Sequence, residues 1–180
     1  MRGQQGFTLF ELIITLAIAA IVIGVAAPSF SGMIQDNRLS SQSLDFLASL
    51  NYARSEAIKR RTPVTLCKSA DGSTCTNAGD WGQGWIVFVD GNGSQARENG
   101  GNEPILRLHG PLAGNNRLTG NGNFTHVITY QASGDTLGLG TGTLALCDAR
   151  NDDDKGKAII INSTGRARLT KVSQSTMTCS

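Results

Sequence analysis

An apolar run near the N-terminus constrains this chain more than any other feature of its sequence. Residues 7–27 are almost entirely apolar, and Glu11 is the one charged residue among them. At about 1.5 Å per residue, an α-helix of that length crosses a bilayer core of about 30 Å. A short polar stretch that carries Arg2 comes first, and a positive residue there keeps a leader cytoplasmic. The run therefore predicts a membrane helix with an acid near its start.

The single acid in the run, Glu11, separates three interpretations. An ordinary secretory signal cut near residues 25–29 by signal peptidase would release a periplasmic binding domain, but the run is long and the acid misplaced for a signal core. A plain single-pass anchor leaves Glu11 as a liability, since a charge deep in the bilayer costs about 2.5–3.5 kcal/mol on insertion scales. The third interpretation gives the acid a function, as an intramembrane charge has by default.

The third interpretation comes from a resemblance. The stretch Gly6-Phe7-Thr8-Leu9-Phe10-Glu11-Leu12 resembles the type III signal of type IV prepilins. The resemblance implies that a prepilin peptidase cuts between Gly6 and Phe7 and that the new amine of Phe7 is methylated. Glu11 then stands where that family has its glutamate. The amine of a neighbouring subunit neutralises it during filament assembly, so a costly charge becomes a device that sets the register.

After Pro28 the pattern is that of an amphipathic helix lying on a core. In the prepilin family a proline at this place commonly bends or locally melts the helix. The continuation is predicted over residues 28–61, because Pro63 ends it and apolar residues recur three and four positions apart: Phe46, Leu47, Leu50, Ala53, Ala57 and Ile58.

The remainder, residues 62–180, has the pattern of a β domain. Short runs of apolar or β-branched residues alternate with Gly, Asn and Asp turns, and the chain has 22 glycines. We therefore expect an α+β fold of the type IV pilin-like kind, in which a long N-terminal helix packs on a small antiparallel β domain. The expected division is a leader at 1–6, an assembly and membrane helix at 7–27, its amphipathic continuation at 28–61, and the β domain.

The β domain also resembles a known family. The stretches 81–90, 102–107, 144–148 and 158–161, with the helical segment 51–57, are similar to the GspH/FimT family. The resemblance implies a minor pilin or pseudopilin of a type IV pilus or a type II secretion system, and not an enzyme. Its implied partners are other pilin-type subunits, the prepilin peptidase and the bacterial inner membrane. Its globular domain would lie in the periplasm before assembly into the filament.

The four cysteines predict disulfides rather than a metal site. None of them is in a paired CxxC spacing. Of the three pairings that four cysteines allow, Cys67–Cys75 and Cys147–Cys179 are favoured, because local closures meet disulfide geometry most easily. Disulfides indicate an oxidising compartment such as the periplasm or the cell exterior.

No motif in the sequence indicates catalysis, a cofactor or a metal. The two histidines, His109 and His126, lie outside any motif. Oxygen-bearing residues around one polar loop have a faint calcium-loop appearance, but the full spacing is absent: Asp90, Asn92, Ser94 and Glu103. A formal net charge of +2 is too small to indicate a nucleic-acid partner by itself.

One cationic motif near the C-terminus raises the nucleic-acid question again. Gly165-Arg166-Ala167-Arg168 resembles the DNA-binding motif of FimT-type minor pilins, which help to draw DNA in during natural transformation. On a strand, Arg166 and Arg168 would share one face and could contact successive phosphates. Lys171 is a further candidate. Such a contact is expected to be weak, sequence-independent and sensitive to salt; the alternative is ordinary solvated arginines on an edge strand.

Overall fold

The computed structural model describes residues 6–97 and 103–179, with the backbone alone at 25–29 and 139. The predicted leader, residues 1–6, therefore lies outside the described residues except for Gly6. The chain divides into two compact units, Met1–Asn37 and Arg38–Ser180. One helix, α1 (Leu9–Arg60), passes through the boundary between them.

In the first unit, α1 is continuous, and the large apolar side chains that the structure describes are exposed. The helix neither stops nor melts at Pro28, because a single proline removes only one donor from the ladder of backbone hydrogen bonds; the expected bend stays a prediction. Across the part of the chain that the structure describes, no helix combines the length and the apolar character needed to cross a membrane.

The second unit contains eight strands in two antiparallel sheets. The first sheet has the order β3-β2-β1-β5 and the second the order β4-β6-β7-β8. The strands are β1 (Val64–Lys68), β2 (Trp85–Val89), β3 (Ile105–His109), β4 (Arg117–Gly120), β5 (Val127–Tyr130), β6 (Gly142–Cys147), β7 (Lys157–Ile161) and β8 (Ala167–Lys171). Turns rich in glycine and asparagine join them, as the alternation of the sequence predicts.

The C-terminal part of α1 packs against both sheets. Phe46 is fully buried and meets the edges of two tryptophan rings, Trp81 at 5.4 Å and Trp85 at 4.9 Å between centroids. Leu50 and Ala57 are buried in the same core, together with side chains from strands of both sheets. The predicted fold class, a long helix packed on a small antiparallel β domain, is confirmed.

Two disulfides connect parts of the β domain. Cys67 and Cys75 are joined with a Cα–Cα distance of 5.5 Å, and Cys147 and Cys179 with 5.6 Å. These are the two local closures that the sequence favoured. The second bridge holds the C-terminal segment against β6, where the backbone N–H of Cys179 also donates to Asp153 Oδ1 at 2.6 Å.

Candidate functional site

The N-terminus of α1 is closed by a reciprocal pair of side chains. The backbone N–H of Glu11 donates to Thr8 Oγ1 at 3.2 Å, and Thr8 donates through its backbone N–H and hydroxyl to Glu11 Oε2, both at 3.4 Å. This is a capping box, in which a Thr before the helix and a Glu three residues later satisfy amides that have no intrahelical partner. The carboxylate also lies at the positive end of the helix dipole. Glu11 therefore has a local role that the sequence analysis missed.

The helix that follows this cap exposes its apolar side chains. Phe7 is 90% exposed, and the other exposed large hydrophobic residues of the first unit are between 41% and 77% exposed: Leu9, Phe10, Leu12, Ile13, Ile14, Leu16, Ile18, Ile21, Val22, Ile23, Phe30, Met33 and Ile34. An exposed set of apolar side chains of this size indicates a binding surface for lipid or for another protein.

A tight turn between β7 and β8 positions the Gly-Arg-x-Arg motif. The backbone N–H of Gly165 donates to the carbonyl oxygen of Asn162 at 2.9 Å, and the N–H of Asn162 donates to the carbonyl of Arg166 at 3.1 Å. Gly165 has φ +76°, and a Cβ there would overlap the carbonyl oxygen of Gly134. The motif thus begins with glycine because this hairpin loop needs a left-handed residue without a side chain.

Arg54 of α1 connects this turn to a second turn. Its Nε donates to the carbonyl of Gly134 at 2.7 Å and its Nη2 to the carbonyl of Thr164 at 3.3 Å. Tyr130 lies beside Gly165, and burial raises the pKa of its phenol well above the usual range, a shift that the charge of Arg54 partly opposes. Arg54 therefore positions the loop before Arg166. Only its place in the family-like segment 51–57 could have suggested this in advance.

The arginines of the motif and Lys171 lie on opposite faces of β8. Side chains alternate along a strand, and Leu169 packs toward the core, so Arg168 points away from it. Arg166 and Arg168 are both exposed and two residues apart, on the side away from the helix. Lys171 is two residues beyond Leu169 and shares its face. The structure therefore brings the two arginines together but does not bring Lys171 to them.

The polar loop after β2 uses its oxygens within the chain. Asp90 is fully buried, and its Oδ2 accepts from the hydroxyl of Thr65 at 2.7 Å and from the N–H of Gln95 at 3.1 Å. Asn92 Oδ1 accepts from the N–H of Ser94 at 2.9 Å. These bonds fold the loop. Within residues 6–97 and 103–179, no group of three or more His, Cys, Asp or Glu is arranged to hold a metal ion.

The two histidines and the serines of the turns have structural surroundings. His109 stacks on Trp85 with ring centroids 3.9 Å apart, and its Nδ1 lies 2.7 Å from the carbonyl of Gly110, so this nitrogen carries the proton. The backbone carbonyl of His126 accepts from the N–H of Lys68 at the end of β1. Ser133 donates to Asp135 within its own turn. These contacts hold turns and strand ends in place.

Two family models match the sequence. The model described as type II transport protein GspH matches residues 42–165, which is more than half of the chain. The model described as the prokaryotic N-terminal methylation motif matches residues 1–27. Together they cover the N-terminal part of α1, its C-terminal part from residue 42, and the β domain up to Gly165, and they leave out residues 28–41 and 166–180. No curated protein matches the chain at a significant level.

Solved structures give the same relationship. The type IV minor pilin FimU of Pseudomonas aeruginosa is 26% identical, with a TM-score of 0.62 over 80% of this chain and 96% of FimU. A second crystal form of FimU gives 24% identity, a TM-score of 0.60, and coverage of 78% and 99%. The minor pseudopilin EpsH from the type 2 secretion system of Vibrio cholerae shares the fold at 13% identity, with a TM-score of 0.51 over 74% of this chain and 97% of EpsH.

These proteins are structural subunits and not enzymes. The helix, the two sheets and the matched residues agree with them along most of the chain. The chain therefore belongs to the GspH family of type II transport proteins and is a structural subunit of the minor pilin or pseudopilin kind, which assembles with other pilin-type subunits.

Proposed function

We propose that this subunit is made as a prepilin, anchored in the bacterial inner membrane by residues 7–27, and assembled into a type IV pilus or a type II secretion pseudopilus from there. Its globular domain lies in the periplasm before assembly. The observation that carries this proposal is the exposure of large apolar side chains along residues 7–34, which need lipid or neighbouring helices to cover them.

Processing after Gly6 is supported by the match of residues 1–27 to the N-terminal methylation motif. A Cβ built at Gly6 meets no described atom within 4 Å, so packing among the described residues does not require a glycine there. In this proposal the glycine serves the peptidase, which needs an uncrowded scissile bond. Cleavage creates a cationic amine on Phe7, two residues before α1 begins at Leu9 and four residues before the carboxylate of Glu11.

Glu11 can serve first as a cap and then as a partner for a neighbouring subunit. Its two contacts with Thr8 are long, 3.4 Å each, so they hold the carboxylate weakly. In a filament, the methylated amine of Phe7 from a neighbouring subunit offers a stronger, charge-assisted partner. The acid is thereby neutralised where lipid and helices surround it, and the axial register of the helices is set.

The mass of the mature N-terminus tests the processing step. Protein purified from its native membrane should begin at Phe7 and carry the added mass of one methyl group on the terminal amine. A mature chain beginning near Pro28 or Ser29 would instead support the alternative, a periplasmic binding domain released by ordinary signal peptidase. An uncut chain would contradict both.

Replacing Glu11 separates its two roles. Glu11→Gln should abolish incorporation into filaments while the protein remains in the membrane, because the glutamine cannot pair with a neighbouring amine. Thr8→Ala is the matched control, since it removes the capping hydroxyl and keeps the carboxylate. Filament yield in sheared fractions is the measurement. Equal losses for the two variants would show that only the cap matters, and normal yield for Glu11→Gln would refute the assembly role.

We further propose that Arg166 and Arg168 bind DNA. Both are exposed, they share one face, and two residues of strand separate them by about 7 Å. The turn at Gly165 and the tether from Arg54 hold them in place. Two phosphate contacts give weak, sequence-independent binding, with a salt slope of about −1.8 in log K against log[salt] for duplex DNA. The chain would then help to draw DNA in during natural transformation.

A gel-shift series at low salt tests this proposal. Arg166→Gln/Arg168→Gln should abolish retention of duplex DNA. The matched control is Lys157→Gln/Lys171→Gln, which removes the same charge from the opposite face and should retain DNA within about twofold. Unchanged retention by the arginine variant would refute the proposal. Equal losses in both variants would show that binding depends on total charge and not on this motif.

A further inference from the structure

A groove lies between the edge strand β8 and the helix segment that begins the second unit. It has a volume of ≈ 440 Å³ and is open on one side. Its lining is apolar at Leu44 and Leu169, hydroxylic or amidic at several positions, and positive at two lysines: Ser40, Ser43, Leu44, Lys157, Leu169, Thr170, Lys171 and Gln174. None of these lining residues is an acid.

The two lysines in the groove are directly opposite each other. The register of β7 and β8 pairs Lys157 with Lys171, and both share the face of Leu169. Like charges in that position repel each other. Neither ammonium group forms an ion pair with a residue that the structure describes. The pair therefore leaves a concentrated positive charge at the mouth of the groove that a carboxylate would neutralise.

The strand beside the groove has an unpaired edge. The N–H of Val172 donates to the carbonyl of Gly156, and the N–H of Asn162 donates to the carbonyl of Arg166. In an antiparallel ladder these bonds alternate, so the even-numbered residues of β8 face β7 with their backbone groups. The N–H and C=O groups of Ala167, Leu169 and Lys171 consequently face away from the sheet. An edge of this kind is a template for one further strand.

We propose that an extended segment of a neighbouring filament subunit adds to β8 as a strand and places an acidic side chain beside Lys171, where it faces the positive charge that Lys171 shares with Lys157 on β7. The side chains of the added strand alternate between its two faces. On the helix side, one packs on Leu44 and Leu169, and the side chain two positions further along lies beside Lys171. The occupant therefore has an apolar residue and an acid two positions apart. This interaction does not depend on DNA binding, because Arg166 and Arg168 lie on the other face of β8.

The backbone part of this interaction can be tested by amide exchange. The probe is the peptide acetyl-TLTETV-amide, added to the full chain in detergent micelles and followed by NMR. The amides of Ala167, Leu169 and Lys171 should exchange about tenfold more slowly, since new bonds protect them. The amides of Arg168 and Thr170 should not change, because they already face β7. Absence of protection at the first three amides would overturn the proposal.

The charge part can be tested with matched peptides and variants. The peptide acetyl-TLTKTV-amide should bind about fivefold more weakly or less, and so should the acidic peptide with Lys157→Gln/Lys171→Gln. Arg166→Gln/Arg168→Gln is the control and should bind the acidic peptide within about twofold. Equal binding of the two peptides would overturn the acidic occupant. Protection of the same three amides by duplex DNA and not by the acidic peptide would make the groove a nucleic-acid site instead.

A backbone variant separates a loss of peptide binding from a loss of folding. Ala167→Pro removes an N–H that faces the open edge and leaves the bonds between β7 and β8 in place. It should abolish peptide protection at Leu169 and Lys171 while the thermal midpoint of the domain stays within a few degrees, on the order of the shift caused by a change of about 1 kcal/mol. Peptide binding that survives this change, in a folded protein, would show that no strand is added.

Discussion

The two parts of helix α1 carry similar apolar residues in opposite surroundings. In the first unit Phe10 is 71% exposed, whereas Phe46 in the second unit is fully buried between two tryptophans. The second part has two sheets from its own chain to cover it. In the first part, the large apolar side chains that the structure describes are exposed. One half of the helix therefore stabilises the domain, whereas the other half leaves apolar side chains exposed, as expected if our proposal that it serves assembly is right.

The largest expected effect contrasts two phenylalanines. Phe46→Ala should lower the free energy of unfolding by about 3–5 kcal/mol, because it opens a cavity between the tryptophan rings and the sheets. Phe10→Ala should change it by less than about 0.5 kcal/mol, because that ring is exposed. Denaturant unfolding followed by tryptophan fluorescence measures both. Similar losses of unfolding free energy for the two variants would contradict the conclusion that only the second part of α1 stabilises the domain.

Both disulfides lie in the second unit, so their loss should affect the stability of that unit. Loss of the bridge in Cys147→Ala/Cys179→Ala should cost about 4 kcal/mol, since it closes a longer loop than the bridge between Cys67 and Cys75, whose loss should cost about 3 kcal/mol. The sequence separations are 32 and 8 residues. Thermal unfolding measures the order of the two losses. A larger loss for the shorter loop would show that strain, and not chain entropy, governs these bridges.

Two glycines, one in each unit, allow the same contrast in stability to be tested at the backbone. Gly165→Ala should destabilise the domain by about 1–3 kcal/mol, because φ is +76° and the new methyl group overlaps the Gly134 carbonyl. Gly24→Ala, in the first unit, meets no described atom within 4 Å and should leave the unfolding of the domain unchanged. Denaturant midpoints are the measurement. A neutral Gly165→Ala would contradict the geometry of the turn before Arg166.

The smallest expected effect is a pH dependence carried by Glu56. The hydrogen bond from Arg60 Nε, at 2.6 Å, lowers the pKa of Glu56 below its usual value, and the charge of Lys59 adds to this. A lowered folded-state pKa contributes stability above the unfolded-state value near 4.5, and this contribution is lost as pH falls through the folded-state pKa. Stability profiles should therefore decline less steeply in acid for Glu56→Gln. If the variant's stability declined with falling pH as steeply as that of the wild type, Glu56 would not contribute to the pH dependence.

Much of the fold could be predicted because short-range patterns carry it. The spacing of Phe46, Leu50 and Ala57 predicts the buried face of the helix, and alternation predicts most strands. The strand β4 (Arg117–Gly120) was missed because Leu118 is its only well-buried apolar side chain, which is too little alternation to detect. The capping box could also be predicted from the sequence, because a Thr three residues before a Glu is its signature. The assembly role of Glu11 does not exclude this second role.

The candidate site could be predicted only in part. Alternation placed Arg166 and Arg168 on one face, but the face of Lys171 depends on where the strand begins and on which residues pack toward the core. The contacts of Arg54 join residues 80 and 110 positions apart, and no local pattern predicts such pairs. The facing lysines of the groove likewise depend on the register between β7 and β8.

The amino-acid sequence alone was enough to predict the apolar run with its one acid, the kind of most elements and the family. These properties follow from residue type and from periods of two or about 3.6 residues, which are local. The contacts between distant groups could be read only from the tertiary structure. Arg54 contacts the turn before Arg166, and Lys157 lies opposite Lys171. Those contacts depend on strand register and on the packing of both sheets against the helix, which arise from the whole chain at once.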